Sequence, residues 1–226
     1  MMDYLKRKLT FLKITHIPQV AWSSESPFNI KPKLITFFYL FFGLTLFGLG
    51  EALLIVSTFG VTPWTVLAEG LAFKLKMSVG LATFLISISI LILWIPLKQK
   101  IGIGTISNAV IIASTIDLFV YLIPFANSNL VSIIYLVLGI LLVGIGSGIY
   151  LTTNLGPGTR DGLMKGISEN FKKPISMVRF SIETTVVILG WFLGGTVGLG
   201  TILFAVFIGP LISITLFLIK KIFKEY

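Results

Sequence analysis

"TTNLGPGTRDGLMKG", Thr152 to Gly166, sets an adjacent Arg160 and Asp161 into a glycine-rich break directly after a long apolar run. Gly156, Pro157 and Gly158 end the preceding helix, because proline lacks the N–H a helix needs and glycine takes backbone angles that other residues resist. Ninety-six residues earlier, Gly60 opens a second break, "GVTPWTVLAEGL" at 60 to 71. The same shift pairs Gly43 with Gly139, Gly48 with Gly144, Gly50 with Gly146, Gly70 with Gly166, Gly102 with Gly198 and Gly104 with Gly200, without a gap. Seven of the eight glycines between 34 and 124 thus meet a glycine, where chance placement predicts about one. Tyr39 pairs with Tyr135 and Phe84 with Phe180, and "GIGTISNAV" at 102 to 110 matches "GLGTILFAV" at 198 to 206. The chain reads as two copies, 34–124 and 130–220, joined by a linker at 125–129. A basic cytoplasmic tail, 1–33, precedes them and a basic cytoplasmic C-terminus, 221–226, follows.

Of the 226 residues, 55% are hydrophobic and 12% charged, about half the charge of an ordinary soluble domain. Several uncharged runs are long enough for a hydrocarbon core of roughly 30 Å, and backbone in lipid must close its hydrogen bonds internally, here as helices. Each copy offers a long span with a glycine stripe (34–57; 130–153), then a short segment sufficient for about half a crossing (63–74; 159–171). Two more spans complete it (78–96 and 105–124; 175–193 and 201–219). The expected fold is an all-α integral membrane protein with six transmembrane helices, arranged as two inverted three-helix repeats, each with a short broken or re-entrant helix. Three crossings per copy is odd, so the second copy enters upside down.

Charge placement agrees with that topology under the positive-inside tendency. Lys6, Arg7, Lys8, Lys13, Lys31 and Lys33 put the N-terminus in the cytoplasm. Six crossings then keep Lys98, Lys100, Arg160, Lys165, Lys172, Lys173 and the C-terminal lysines there too, leaving Lys74 and Lys76 outside. An eight-crossing alternative, in which both short segments span and the copies run parallel, moves Lys98, Lys100 and Arg160 outside and carries Arg160, Asp161, Lys165 and Glu169 through the bilayer at a few kcal/mol each. The net charge of +9 is explained by headgroup anchoring at span ends, so the expected partner is the lipid bilayer and not nucleic acid. "MMDYLKRKLTFLK" lacks the apolar stretch of a signal peptide. With no cysteine, and with His16 the sole histidine, neither a metal site nor another cofactor is expected.

Both breaks aim a helix N-terminus at the same region of their copy. Thr159 is placed to cap the second short helix with Asp161 in its first turn, while Thr62 caps the first with Pro63 at the opening helical position. Together with Gly156, Gly158 and the donor fork of Arg160, these ends suit an anionic group. Arg160 has a blander alternative, as a tether to a headgroup or a nearby carboxylate. Trp64 either stacks on a substrate or anchors the segment in the membrane, and Trp94 and Trp191 fit interfacial belts.

Four ionisable residues fall within spans: Glu51, Asp117, Arg179 and Glu183. Lipid makes such groups costly, so they should face protein or water. Arg179 and Glu183 are four apart on one face and can pair, either as part of a site or to fix packing. Each of the four meets a hydroxyl residue in the other copy (Ser147, Ser213, Thr83 and Ser87 respectively), as a central wet cavity would require. Glu51 and Asp117 lack a cation nearby in sequence and could exchange protons or serve as neutral donors. Glu69 reads as interfacial.

"LGPGTRDGLM" at 155 to 164 resembles the signature of the YczE branch of the YczE/YyaS/YitT family of bacterial multi-pass membrane proteins, with Thr159 where proline is more usual. "GVTPWTVLAEGL" resembles the matching stretch of the family's first half, with Thr65 in place of the more usual aspartate. The resemblance implies an integral protein of the bacterial inner membrane and supplies no catalytic residues. The leading expectation is a transporter or channel-like protein for a small metabolite, an organic anion by the logic of Arg160, with proton coupling through Glu51, Asp117 or Glu183. The alternative is a noncatalytic membrane partner or assembly factor, with a protein partner or homo-oligomer left open. An enzyme is the weakest reading, since no nucleophile stands at recognisable spacing from a base.

Overall fold

The computed structural model describes residues 17–223 as an all-helical chain. In order, the helices are α1 Leu34–Ser57, α2 Pro63–Leu75, α3 Val79–Trp94, α4 Ile103–Leu122, α5 Asn129–Thr152, α6 Thr159–Phe171, α7 Ile175–Leu193 and α8 Leu199–Phe223. Lys6, Arg7, Lys8, Lys13, His16 and Lys224 lie outside the described residues. α1, α4, α5, α7 and α8 are each long and apolar enough to cross a membrane. The expected span at 78–96 is shorter than anticipated, because α3 has 16 residues, about 24 Å at 1.5 Å per residue. It meets α2 at a bend of 113°, and that pair counts as a sixth span only if taken as one broken crossing. Rows of exposed Phe, Leu and Ile along α1, α5, α7 and α8 fit a lipid surround.

The repeat register reappears in the backbone. Every described residue with a positive φ has a positive-φ partner 96 residues away: Thr58 with Asn154, Gly60 with Gly156, Lys76 with Lys172, and Lys98 with Gly194. The left-handed region costs a side chain that glycine does not carry, so these four pairs mark chain reversals repeated in each half.

α1 and α5 cross at the centre. Gly43 lies against Gly146 and Gly50 against Gly139, so ascending positions on α1 meet descending positions on α5, and the two helices run antiparallel. Each contact is the image of the other under the 96-residue shift, as in an isologous two-fold interface. α4 packs beside α1 with Thr115 on Gly48, and α8 beside α5 with Leu211 on Gly144 and Thr215 on Gly148. Small residues let these backbones approach where no hydrophobic force drives association.

The remaining elements pack crosswise between the halves. The first break docks on the start of α8, where Gly60 meets Gly198 and the Gly200 N–H donates to the Phe59 carbonyl at 2.7 Å. The second break docks on the start of α4, where Gly156 meets Gly102 and the Gly104 N–H donates to Leu155 at 2.7 Å. Likewise α2 packs against α7, with Gly70 and Gly190 at the contact, while α6 packs against α3, with Gly162 facing the Trp94 ring.

Within the basic tail expected at 1–33, the stretch from 17 to 33 packs on the helices. Val20 and Trp22 are buried, Trp22 stacks on Tyr39 with centroids 4.0 Å apart, and its Nε1 donates to Thr152 Oγ1 at 3.0 Å. The Ser24 N–H donates to the Thr153 carbonyl at 2.9 Å, so this segment is strapped to the end of α5.

Candidate functional site

After each break the chain doubles back along the helix it has just left. Thr62 hydrogen-bonds Glu51, and Tyr150 hydrogen-bonds Asp161, each across eleven residues. This brings the N-termini of α2 and α6 beside the middle of the bundle, where they border a cavity of about 430 Å³. Trp64 and Arg160, equivalent positions of the two copies, meet there with the guanidinium 5.4 Å from the ring centroid, a cation–π contact of about 0.5–2 kcal/mol. Thr83 and Ser87 line the wall together with their repeat counterparts Arg179 and Glu183. The cavity therefore straddles the relation between the halves, and one half supplies hydroxyls where the other supplies charges.

Glu51 is wholly buried on α1. Thr65 Oγ1 donates to its Oε2 at 2.7 Å, and Thr62 Oγ1 lies 3.1 Å from both carboxylate oxygens. Its cation is Arg160 of the other half, with Nη1 3.9 Å from Oε1. That separation gives an ion pair without a hydrogen bond. Burial lowers Arg160 from its ordinary value, with Glu51 and then Asp161 acting in the opposite direction, and an arginine so placed stays a cation.

Two expected caps take other roles. Thr62 occupies the N-cap position of α2, with Pro63 at the first turn as expected, yet its hydroxyl does not cap. A buried carboxylate accepts it more strongly than a helix N–H would donate. At α6 the N-cap is Gly158, and Thr159 is the first helical residue. One position inside the helix, its hydroxyl cannot reach the free N–H groups, and it is buried with no partner. Asp161 stands in the first turn as expected and accepts from the Tyr150 hydroxyl at 3.2 Å.

Arg179 Nε donates to Glu183 Oε1 at 2.8 Å, completing the expected pair within the cavity wall. Asp117 goes elsewhere. Its Oδ1 accepts the Gly80 N–H at 2.7 Å and its Oδ2 the Ser78 hydroxyl at 2.6 Å, so it anchors the start of α3. Gly156 serves the docking of the break on Gly102, while Gly158, Thr159, Arg160, Asp161, Thr62 and Trp64 all border the cavity. Trp64 is buried, contrary to a membrane anchor. Trp94 also departs from the expected belt. It is fully buried under Gly162, where a Cβ would collide with the ring, and its Nε1 donates to the Thr159 carbonyl at 3.1 Å. Trp191 is exposed, in keeping with an interfacial position. Glu69 accepts the Thr196 N–H at 2.8 Å and so ties α2 to the loop before α8.

Tyr150 and Asn108 border the cavity without having been singled out from sequence. The only signal for Tyr150 is a phenol at the end of a span, next to the break, and Asn108 stands within the repeated "GIGTISNAV" opposite Phe204. No group of three or more metal-binding side chains exists among the described residues.

The model of a family of unknown function, DUF6198, matches residues 34–216. The chain is 39% identical over 210 residues to an uncharacterized protein of Haemophilus influenzae, covering 93% of this chain and 95% of that one. It is 32% identical over 181 residues to the uncharacterized membrane protein YczE of Bacillus subtilis, covering 79% and 84%, and 30% identical over 192 residues to YyaS of the same organism, covering 83% and 95%. No solved structure matches.

Proposed function

Because the chain belongs to the YczE/YyaS family of membrane proteins, we propose that it is a small carrier for an organic anion or similar metabolite, built from two inverted three-span halves. The observation that carries this reading is the 430 Å³ cavity between the halves, bordered by both short-helix N-termini. Half-helices whose positive ends face a central site are a recurrent arrangement in carriers. A channel-like route through the same cavity is the simpler form of the same idea.

Inversion is supported by the antiparallel crossing of α1 and α5, since parallel copies would run these equivalent helices the same way. Two backbone contacts agree. The Ala126 N–H donates to Val56 at 2.9 Å and Ser24 donates to Thr153 at 2.9 Å. Six crossings put both members of each pair on one side, whereas eight crossings put them on opposite sides. With basic residues inside, both termini face the cytoplasm, in the inner membrane of a bacterium. The activity is non-enzymatic, and assembly into homo-oligomers is compatible with the exposed apolar faces.

Uptake of radiolabelled organic acids into proteoliposomes holding the purified chain tests the carrier reading. Saturable uptake that depends on the protein is expected, and a stable complex with another membrane protein together with no flux of any solute would favour the partner role instead. Reporters placed after Lys76 and Lys173 should fall on opposite faces; the same face for both would end the inverted arrangement.

A further inference from the structure

The cavity is unusually rich in donors that nothing in the protein uses. Arg160 carries five N–H groups, and among the described residues it makes one ion pair at 3.9 Å and a ring contact, with no hydrogen bond. Beside it Trp64, Thr159 and Thr83 border the same space, and the Trp64 Nε1 and the two hydroxyls are buried without a protein partner. Trp64 is 6% exposed, Thr159 1% and Thr83 3%. Buried polar groups are nearly always satisfied, and a tryptophan N–H can only donate. For Trp64 and for the fork of Arg160 the missing partner is an acceptor, and a hydroxyl can donate to the same group.

Its charge and shape follow from the surroundings. Three carboxylates, Glu51, Asp161 and Glu183, balance three cations, Arg160, Lys165 and Arg179, at or behind the wall, and a lining without net charge favours a monoanion over a dianion such as phosphate. With Arg179 hydrogen-bonded to Glu183, the free planar fork of Arg160 matches one planar carboxylate. Phe47, Ile112, Val143, Phe204 and Ile208 form an apolar remainder able to hold a hydrocarbon body.

Resting on the carrier reading above, we propose that the cavity binds a monocarboxylate with an apolar body on Arg160, and that this carboxylate displaces Glu51, which then takes up a proton. Glu51 is the internal occupant of the arginine. It has no exposure of its own, and Arg160 is its cation within 4 Å. The other cations bordering the cavity are held elsewhere, Arg179 on α7 by Glu183 at 2.8 Å and Lys165 on α6 by Glu169 at 3.8 Å. The acids nearby have partners of their own, Asp161 on α6 accepting from Tyr150 on α5 and Glu69 on α2 from Thr196. A buried carboxylate that loses its cation is cheaper neutral than charged. Protonated, it still accepts from Thr65 through one oxygen. Proton and ligand thus bind together, and the pair leaves together.

The test is calorimetry of the purified full chain in lipid nanodiscs with phenylacetate, compared with phenylacetamide and inorganic phosphate. Phenylacetate should bind at least about tenfold more tightly than either comparator. Titrations in buffers of different ionisation enthalpy should report uptake of about one proton per phenylacetate, with affinity rising from about pH 8 to about pH 6. Glu51→Gln should keep or strengthen binding and abolish the proton uptake. Arg160→Lys, which keeps the charge and loses the fork, should weaken binding about tenfold. Equal binding of the amide, tighter phosphate, no binding of phenylacetate, or binding by the wild type without proton uptake overturns the proposal. Protein-dependent uptake of other solutes in proteoliposomes with these calorimetric results would leave the carrier reading standing while removing this one.

Discussion

Replacing Gly50 with alanine tests whether the central crossing is set by backbone contact. The added Cβ would lie 2.6 Å from the Gly139 carbonyl oxygen and 2.8 Å from the Val143 backbone nitrogen, against at least 3.4 Å for ordinary contact. Both are backbone atoms, so the helices must separate by about 0.8 Å or bend. Overpacking of this kind costs about 1–3 kcal/mol, and the better helix propensity of alanine offsets about 1 kcal/mol of it. Gly50→Ala should therefore destabilise by up to about 2 kcal/mol. Gly209→Ala, on α8, meets no atom within 4 Å, and should fall close to neutral. Because Gly139 sits on the other side of the Gly50 contact, one displacement relieves both substitutions. The Gly50→Ala, Gly139→Ala double variant should then cost less than the sum of the singles by at least about 0.5 kcal/mol. Reversible unfolding in mixed micelles titrated with SDS, followed by tryptophan fluorescence, gives these differences. A Gly50 variant no worse than the Gly209 variant, or strict additivity, would refute a crossing held by the two glycines.

Other substitutions separate structural from functional carboxylates. Asp117→Asn keeps only one acceptor oxygen for Ser78 and Gly80, and should lower stability by about 1 kcal/mol while leaving proton-linked ligand binding intact in calorimetry. Trp94→Phe removes the indole donor to the Thr159 carbonyl, which keeps its partner within α6, and should cost about 1 kcal/mol in thermal unfolding. Gly60→Ala and Gly156→Ala each put a side chain at φ near +105° against a neighbouring glycine backbone; both should reduce folded yield on gel filtration, and to similar extents, since the two sites are equivalent.

The spans and breaks were legible because they depend on local runs and on a register of glycines, which lipid and close helix contact both demand. α1, α5, α6 and α7 begin and end within a residue of the positions expected. Contacts between halves were not legible, since a repeat reveals which residues are equivalent and not which ones touch. Thr62 shows the limit. A threonine before a helical proline fits a cap, and only the doubling-back of the chain brings Glu51 within reach of its hydroxyl. Trp94 shows it too, because its place at a span end is compatible with a belt until the missing Cβ of Gly162, 68 residues away, makes room for the ring. Asp117 lies within α4 as expected, but its anchoring role was not legible because its partners, Ser78 and the Gly80 N–H, lie far off in sequence.

The crosswise docking of breaks and short helices has a consequence for ancestry and for folding. Each half lends α2 or α6 to the other, so neither half completes its own interior. A single copy, before duplication, would have needed a second molecule packed antiparallel to it to cover the same faces. Residues 1–127 and 128–226 produced as separate polypeptides should reconstitute one particle when made together, and each should be degraded when made alone.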